Sequence, residues 1–154
     1  MIFLSGGSTM LEGMKKLLKS KDTCVLATAS GNEPHCSLMS YAVNDDCREI
    51  YMMTFRSTRK YENLLSNPVV SLLVDTREED NPADRTHTKA LTISGQFERI
   101  EDEVARLRAK NSLMDRHPHL KTFAENPDTE FFVVKVKSLQ LLDGITDASF
   151  LTLD

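Results

Sequence analysis

The sequence predicts a mainly β domain with flanking helices, its six strands forming an antiparallel barrel that is closed or nearly so. The apolar period changes from helical to alternating after Lys19, and strand-like runs then outnumber helical ones. Those runs are short, and polar turns such as Ser30-Gly31-Asn32 and Asn44-Asp45-Asp46 join them as in a meander. Closing such a sheet removes the exposed strand edges that would otherwise pair with other chains.

Thr9 to Lys19 has Met10, Leu11, Met14, Leu17 and Leu18 on one helical face, with Ser8 or Thr9 as the expected N-cap. Cys24 to Ala29 is a short apolar strand. His35 to Val43 follows, with Ser37, Met39 and Tyr41 on one face and Cys36, Leu38, Ser40 and Ala42 on the other. Glu49 to Phe55 is a third strand, and Thr58 to Leu65 is a short helix stopped by Asn67-Pro68. Val69 to Asp75 is dense in Val and Leu, which predicts burial on both faces. Thr76 to Thr88 is polar and reads as a long loop, its Glu78-Glu79-Asp80 as a solvated turn. Lys89 to Ile100 is a strand. Glu101 to Arg116 is a helix with Val104, Leu107 and Met114 on its apolar side, ended by Pro118. Phe131 to Leu142 is the last expected strand.

The 154 residues make one domain, with no internal repeat. A formal net charge of -4 without charge blocks argues against a nucleic-acid partner. The apolar start, Met1 to Leu4, is too short for a signal core or a membrane span, so a soluble, cytoplasmic protein is expected. The three cysteines are odd in number and form no C-x-x-C pair, so no disulfide framework is expected. They read as packed or surface residues. His117-Pro118-His119 lacks the partners of a metal set and reads as a solvated helix end. His35 reads as a structural histidine.

Met53 to Pro68 carries the chemistry. A strand runs into a hydroxyl-rich turn that opens a helix, and Ser57, Thr58, Arg56, Arg59 and Lys60 gather there. A helix start presents unpaired N–H groups and partial positive charge, which suits a phosphate. Cations in a first turn oppose the helix dipole, an arrangement that makes sense when an anion lies between them. The pattern alone leaves two readings open, an anion site and a solvated basic surface.

The run S-T-R-K-Y-E-N-L-L-S-N-P-V-V-S-L-L-V (Ser57 to Val74) resembles a segment of the pyridoxamine-5′-phosphate-oxidase-like flavoproteins. The resemblance extends to Met53-Thr54, to C-V-L-A-T-A (Cys24 to Ala29), to the G-x-x-P-H turn (Gly31 to His35) and to I-S-G-Q-F-E-R-I (Ile93 to Ile100). It implies a six-stranded FMN-binding split β-barrel, with FMN held at a homodimer interface. Arg59 and Lys60 would bind the phosphate, assisted by Ser57, Thr58 or Arg56. Met53 and Thr54 would lie along the ribityl chain or ring. Ser37, Leu38, Met39 and Ser40 would meet the isoalloxazine. The namesake enzymes carry basic residues where this chain has Ser37 and Ala42, and they carry a C-terminal Arg-x-His region that is missing here. Oxidation of pyridoxamine phosphate itself is therefore not expected.

The resulting expectation is an FMN-dependent oxidoreductase acting on an unidentified small molecule, without nucleic-acid or membrane partners. The alternatives are a non-enzymatic module that binds or senses flavin, deazaflavin or haem, and a structural dimer with an empty site.

Overall fold

The computed structural model describes residues 4–153, and the side chains of residues 9–153. Helix α1 (Leu4–Ser20) begins earlier than expected, so Ser8 and Thr9 lie inside it and do not cap it. Its Met14 and Leu18 are buried in the barrel core.

Eight strands form one antiparallel sheet, two more than the sequence predicted. They are β1 (Thr23–Ser30), β2 (Glu33–Ser40), β3 (Ala42–Val43), β4 (Glu49–Phe55), β5 (Val69–Asp75), β6 (Lys89–Arg99), β7 (Thr129–Asp143) and β8 (Asp147–Thr152). The sheet order is β2-β1-β5-β6-β7-β4-β3, with β8 pairing β7. The two ends of this path, β2 and β3, are one stretch of chain broken only at Tyr41. The chain pairs with β1 before Tyr41 and with β4 after it, which curls the sheet into a split barrel. The expected single strand, His35 to Val43, thus serves both edges.

Gly31 and Asn32 both have positive φ, 56° and 66°, the type I′ geometry that a two-residue hairpin needs. The β7–β8 hairpin was not foreseen. It turns at Gly144, whose φ is 73°, and pairs Leu139 with Leu151.

Two apolar clusters result. Ile50, Met52, Leu72, Leu91, Ile93, Phe132 and Val134 fill the barrel with α1 against them. On the outside, Tyr51, Met53, Phe131 and Val133 are covered by α3 (Glu103–Arg116) and α4 (Lys121–Glu125). Asp102 caps α3 by accepting from the Ala105 N–H at 2.9 Å. Ala109 and Leu113 form the buried face of α3, whereas Val104 and Leu107, expected there, are exposed. A small residue lets the helix approach the strands closely, and that outweighs the larger apolar pair.

Strand β5 is not buried on both faces. Val70, Leu72 and Val74 point inward, while Val69 is 64% exposed. On β2, Leu38 stands 76% exposed while its neighbour Met39 is buried. No helix among the described residues is long and apolar enough to cross a membrane.

Candidate functional site

Strand β4 ends at Phe55, and helix α2 (Arg59–Ser66) starts four residues later. Thr58 caps it. Its Oγ1 accepts from the Tyr61 N–H at 3.2 Å and donates to the Phe55 carbonyl at 2.9 Å. Thr54 Oγ1 lies 3.4 Å from the same hydroxyl. The cap is neutral, and Glu62 is the acidic residue in the first turn of the helix.

The basic residues of this segment go to different places. Arg56 Nη1 donates to Glu130 Oε2 at 2.9 Å, and Nη2 donates to the Pro127 carbonyl. Glu130 is buried, so Arg56 neutralises a carboxylate that would be costly alone. Ser57 Oγ donates to Asp128 Oδ2 at 2.7 Å. Arg59 Nη2 donates to Glu33 Oε2 at 2.8 Å, with both side chains exposed. Lys60 is half-buried and has no ion-pair partner among the described residues. Burial pushes its pKa below the ordinary lysine value.

Lys60 lines a cleft of about 210 Å³ with Leu38, Met39, Ser40, Met53, Leu120 and Phe123. The fold therefore brings five of the expected site residues together: Leu38, Met39, Ser40, Met53 and Lys60. Ser37 stands opposite Leu26 on β1, outside this lining. Thr54, Arg56, Ser57 and Thr58 build the turn beside it, and Arg59 points to the β1–β2 hairpin.

Leu120 and Phe123 were missed. They come from the 3-10 turn Pro118–Leu120 and from α4, and the Phe123 ring stacks on Phe55 at 4.4 Å. The spacing of Leu120, Phe123 and Ala124 is a helical signal that Pro118 masked. His117 is also corrected. It is not solvated but buried, and its Nε2–H donates to the Tyr41 carbonyl at 2.9 Å.

Among the described residues, no group of three His, Cys, Asp or Glu side chains could hold a metal. Cys24 and Cys47 are buried and Cys36 is exposed, and burial pushes the Cys24 thiol up to about 12. Glu78 and Glu79 lie in a turn and are largely exposed, as the sequence led one to expect. Both carboxylates close on the buried Lys21 ammonium, Glu78 at 3.7 Å.

The pyridoxamine 5′-phosphate oxidase family matches residues 10–143. The chain belongs to that family. One relative within the pyridoxamine 5′-phosphate oxidase group, a homolog from Schizosaccharomyces pombe, is 28% identical and aligns over 84% of this chain and 83% of its own. A heme binding protein from Mycobacterium smegmatis superposes with a TM-score of 0.81 at 18% identity. That match covers 92% of this chain, which spans only 57% of the Mycobacterium protein. A FAD-binding protein from Mesorhizobium loti superposes with a TM-score of 0.68 at 19% identity, over 84% of this chain and 91% of its own. At these identities the structures establish a shared fold.

Proposed function

We propose that this chain binds FMN in the cleft beside Lys60 and serves as a flavin-dependent oxidoreductase on an unidentified small molecule. The observation that carries the reading is the Lys60 ammonium, half-buried against an apolar wall and lacking a counter-charge. A desolvated cation of this kind is stabilised by an anion that the chain does not itself supply. Lys60 would hold the phosphate with Arg59 and the hydroxyl-rich turn. Leu38, Met39 and Met53 offer apolar surface for a planar ring system. Bound flavin would supply the hydride and electron chemistry, and the protein would bind it, orient it and exclude water.

The cleft is smaller than the ~300 Å³ at which small-molecule pockets usually begin. It therefore reads as one wall of a larger site. Leu38 lines the cleft and is highly exposed, so a second copy of the chain is the proposed other wall. Heme and FAD binding are both attributed to proteins of this fold, so the fold does not choose between them. The cleft lining has no histidine, cysteine or tyrosine, and the thioethers of Met39 and Met53 are weak iron ligands on their own, which favours flavin. A haem or deazaflavin sensing module is the second reading.

The test is an absorbance spectrum of the purified protein followed by FMN titration, with flavin fluorescence as the readout. Lys60→Ala should weaken FMN binding at least tenfold with the fold intact by circular dichroism. A Soret band, or equal affinities in the two proteins, would overturn the reading.

A further inference from the structure

Arg59 and Lys60 are adjacent in the first turn of α2 and yet differ in their surroundings. Lys60 faces the cleft without an ion-pair partner among the described residues, whereas the Arg59 guanidinium lies 2.8 Å from the Glu33 carboxylate at the start of β2. This ion pair is not needed to hold α2 in place. Asn63 Nδ2 donates to Thr28 Oγ1 at 3.2 Å, Ser66 Oγ donates to Ser30 Oγ at 3.2 Å, and Leu64 is fully buried, so the helix is already tied to β1 and the core. Arg59 and Glu33 are 58% and 75% exposed, and pairs of that kind contribute little to stability.

We propose that Glu33 acts as an internal competitor for the incoming phosphate, holding the Arg59 guanidinium until a more highly charged anion displaces it. This rests on the FMN reading above. A carboxylate carries one negative charge and a phosphate monoester about −1.5 to −2 near neutral pH, so the phosphate wins the guanidinium by charge and by number of acceptor oxygens. A ligand without the phosphate gains nothing from Arg59 and leaves the Glu33 contact closed. Glu33 thereby weakens only the phosphorylated flavin, narrows its advantage over the unphosphorylated one and sets its affinity below the limit the cations could reach. No covalent step is involved.

The experiment compares FMN and riboflavin titrations in the wild-type chain, Glu33→Gln, Arg59→Ala and the double variant. Glu33→Gln should tighten FMN about two- to fivefold, the range that releasing an exposed pair provides. Riboflavin affinity should not change, and Glu33→Gln should have no effect in the Arg59→Ala background. Unchanged or weaker FMN binding by Glu33→Gln, in a wild-type chain that binds FMN and is weakened by Arg59→Ala, overturns the competitor role alone. Equal tightening of riboflavin and FMN also overturns it. A wild-type chain that binds no FMN overturns the FMN reading, and the competitor role with it.

Discussion

His117 donates through Nε2–H to the carbonyl of Tyr41 at 2.9 Å, at the residue where the chain leaves one sheet edge for the other. Both residues are buried. Tyr41 also donates its hydroxyl to the Leu18 carbonyl at 2.6 Å, and its N–H donates to the Asp22 carbonyl at 3.0 Å. The corner of the barrel is thus tied to α1 and to the end of α3. His117→Ala would leave the Tyr41 carbonyl buried without this donor, which costs about 1–3 kcal/mol. Chemical denaturation should show a lower midpoint with an unchanged slope, since the surface exposed on unfolding is the same.

Gly95 sits where the β6–β7 register shifts. A Cβ added there would lie 2.6 Å from Val134 Cγ1 and 2.7 Å from the Lys135 carbonyl oxygen. The oxygen is backbone and part of a sheet, so it cannot yield without disturbing the ladder. Gly95→Ala should destabilise the chain by about 1–3 kcal/mol or more, as overpacking does. Thermal unfolding of the variant against wild type checks this, and an equal melting temperature would refute it.

The strands most legible in the sequence are β4 and β5, whose bounds match the expected strands Glu49 to Phe55 and Val69 to Asp75. The break at Tyr41 was not legible. Alternation continues from Ser37 through Met39 to Tyr41, and alternation records which face is buried, not which strand is the partner. The face of α3 was misread because Ala109 carries little hydrophobic signal. Its small size, not its apolarity, admits the strands. At the site, the local run from Met53 to Lys60 was readable as a turn opening a helix. The fates of its cations were not, because Glu33 lies 26 residues from Arg59 and Glu130 lies 74 from Arg56. Pairings at that distance leave no local pattern. The cleft wall of Leu120 and Phe123 was hidden behind Pro118, which truthfully ends α3 but does not end helical structure.

Lys21 is buried while its partners Glu78 and Glu79 are largely exposed, so one lysine fastens the start of the Thr76 to Thr88 loop. At the other end, the Gly144 N–H donates to the Thr88 carbonyl at 3.0 Å. Lys21→Met keeps the side-chain volume and removes the charge. The freed carboxylates return to water at small cost, so global stability should change by less than about 1 kcal/mol. Local opening of the loop should become easier, because its low-energy openings no longer break an ion pair. Limited trypsin digestion should cut faster after Arg77 or Arg85 in Lys21→Met, and amide exchange at Glu78 and Glu79 should accelerate. A global loss of stability with unchanged loop exchange would contradict this.

Lys60 gives the site a pH dependence whose sign follows from its burial. Its pKa in the folded chain lies below the ordinary 10.5 because desolvation disfavours the ammonium. Between the two values the unfolded chain binds more protons, so the Lys60 contribution to stability rises with pH there. Phosphate binding has the opposite slope, since it requires the ammonium. FMN affinity should therefore fall as pH rises through the lowered value, and binding in that range should take up a proton. Arginine remains charged throughout, so Lys60→Arg should flatten this alkaline fall even if its affinity at neutral pH is lower. Flavin-fluorescence titrations from about pH 7 to about pH 11, bracketing the ordinary lysine range, measure both curves. An alkaline fall of equal size and midpoint in Lys60→Arg would assign the titration to another group and remove Lys60 from the phosphate contact.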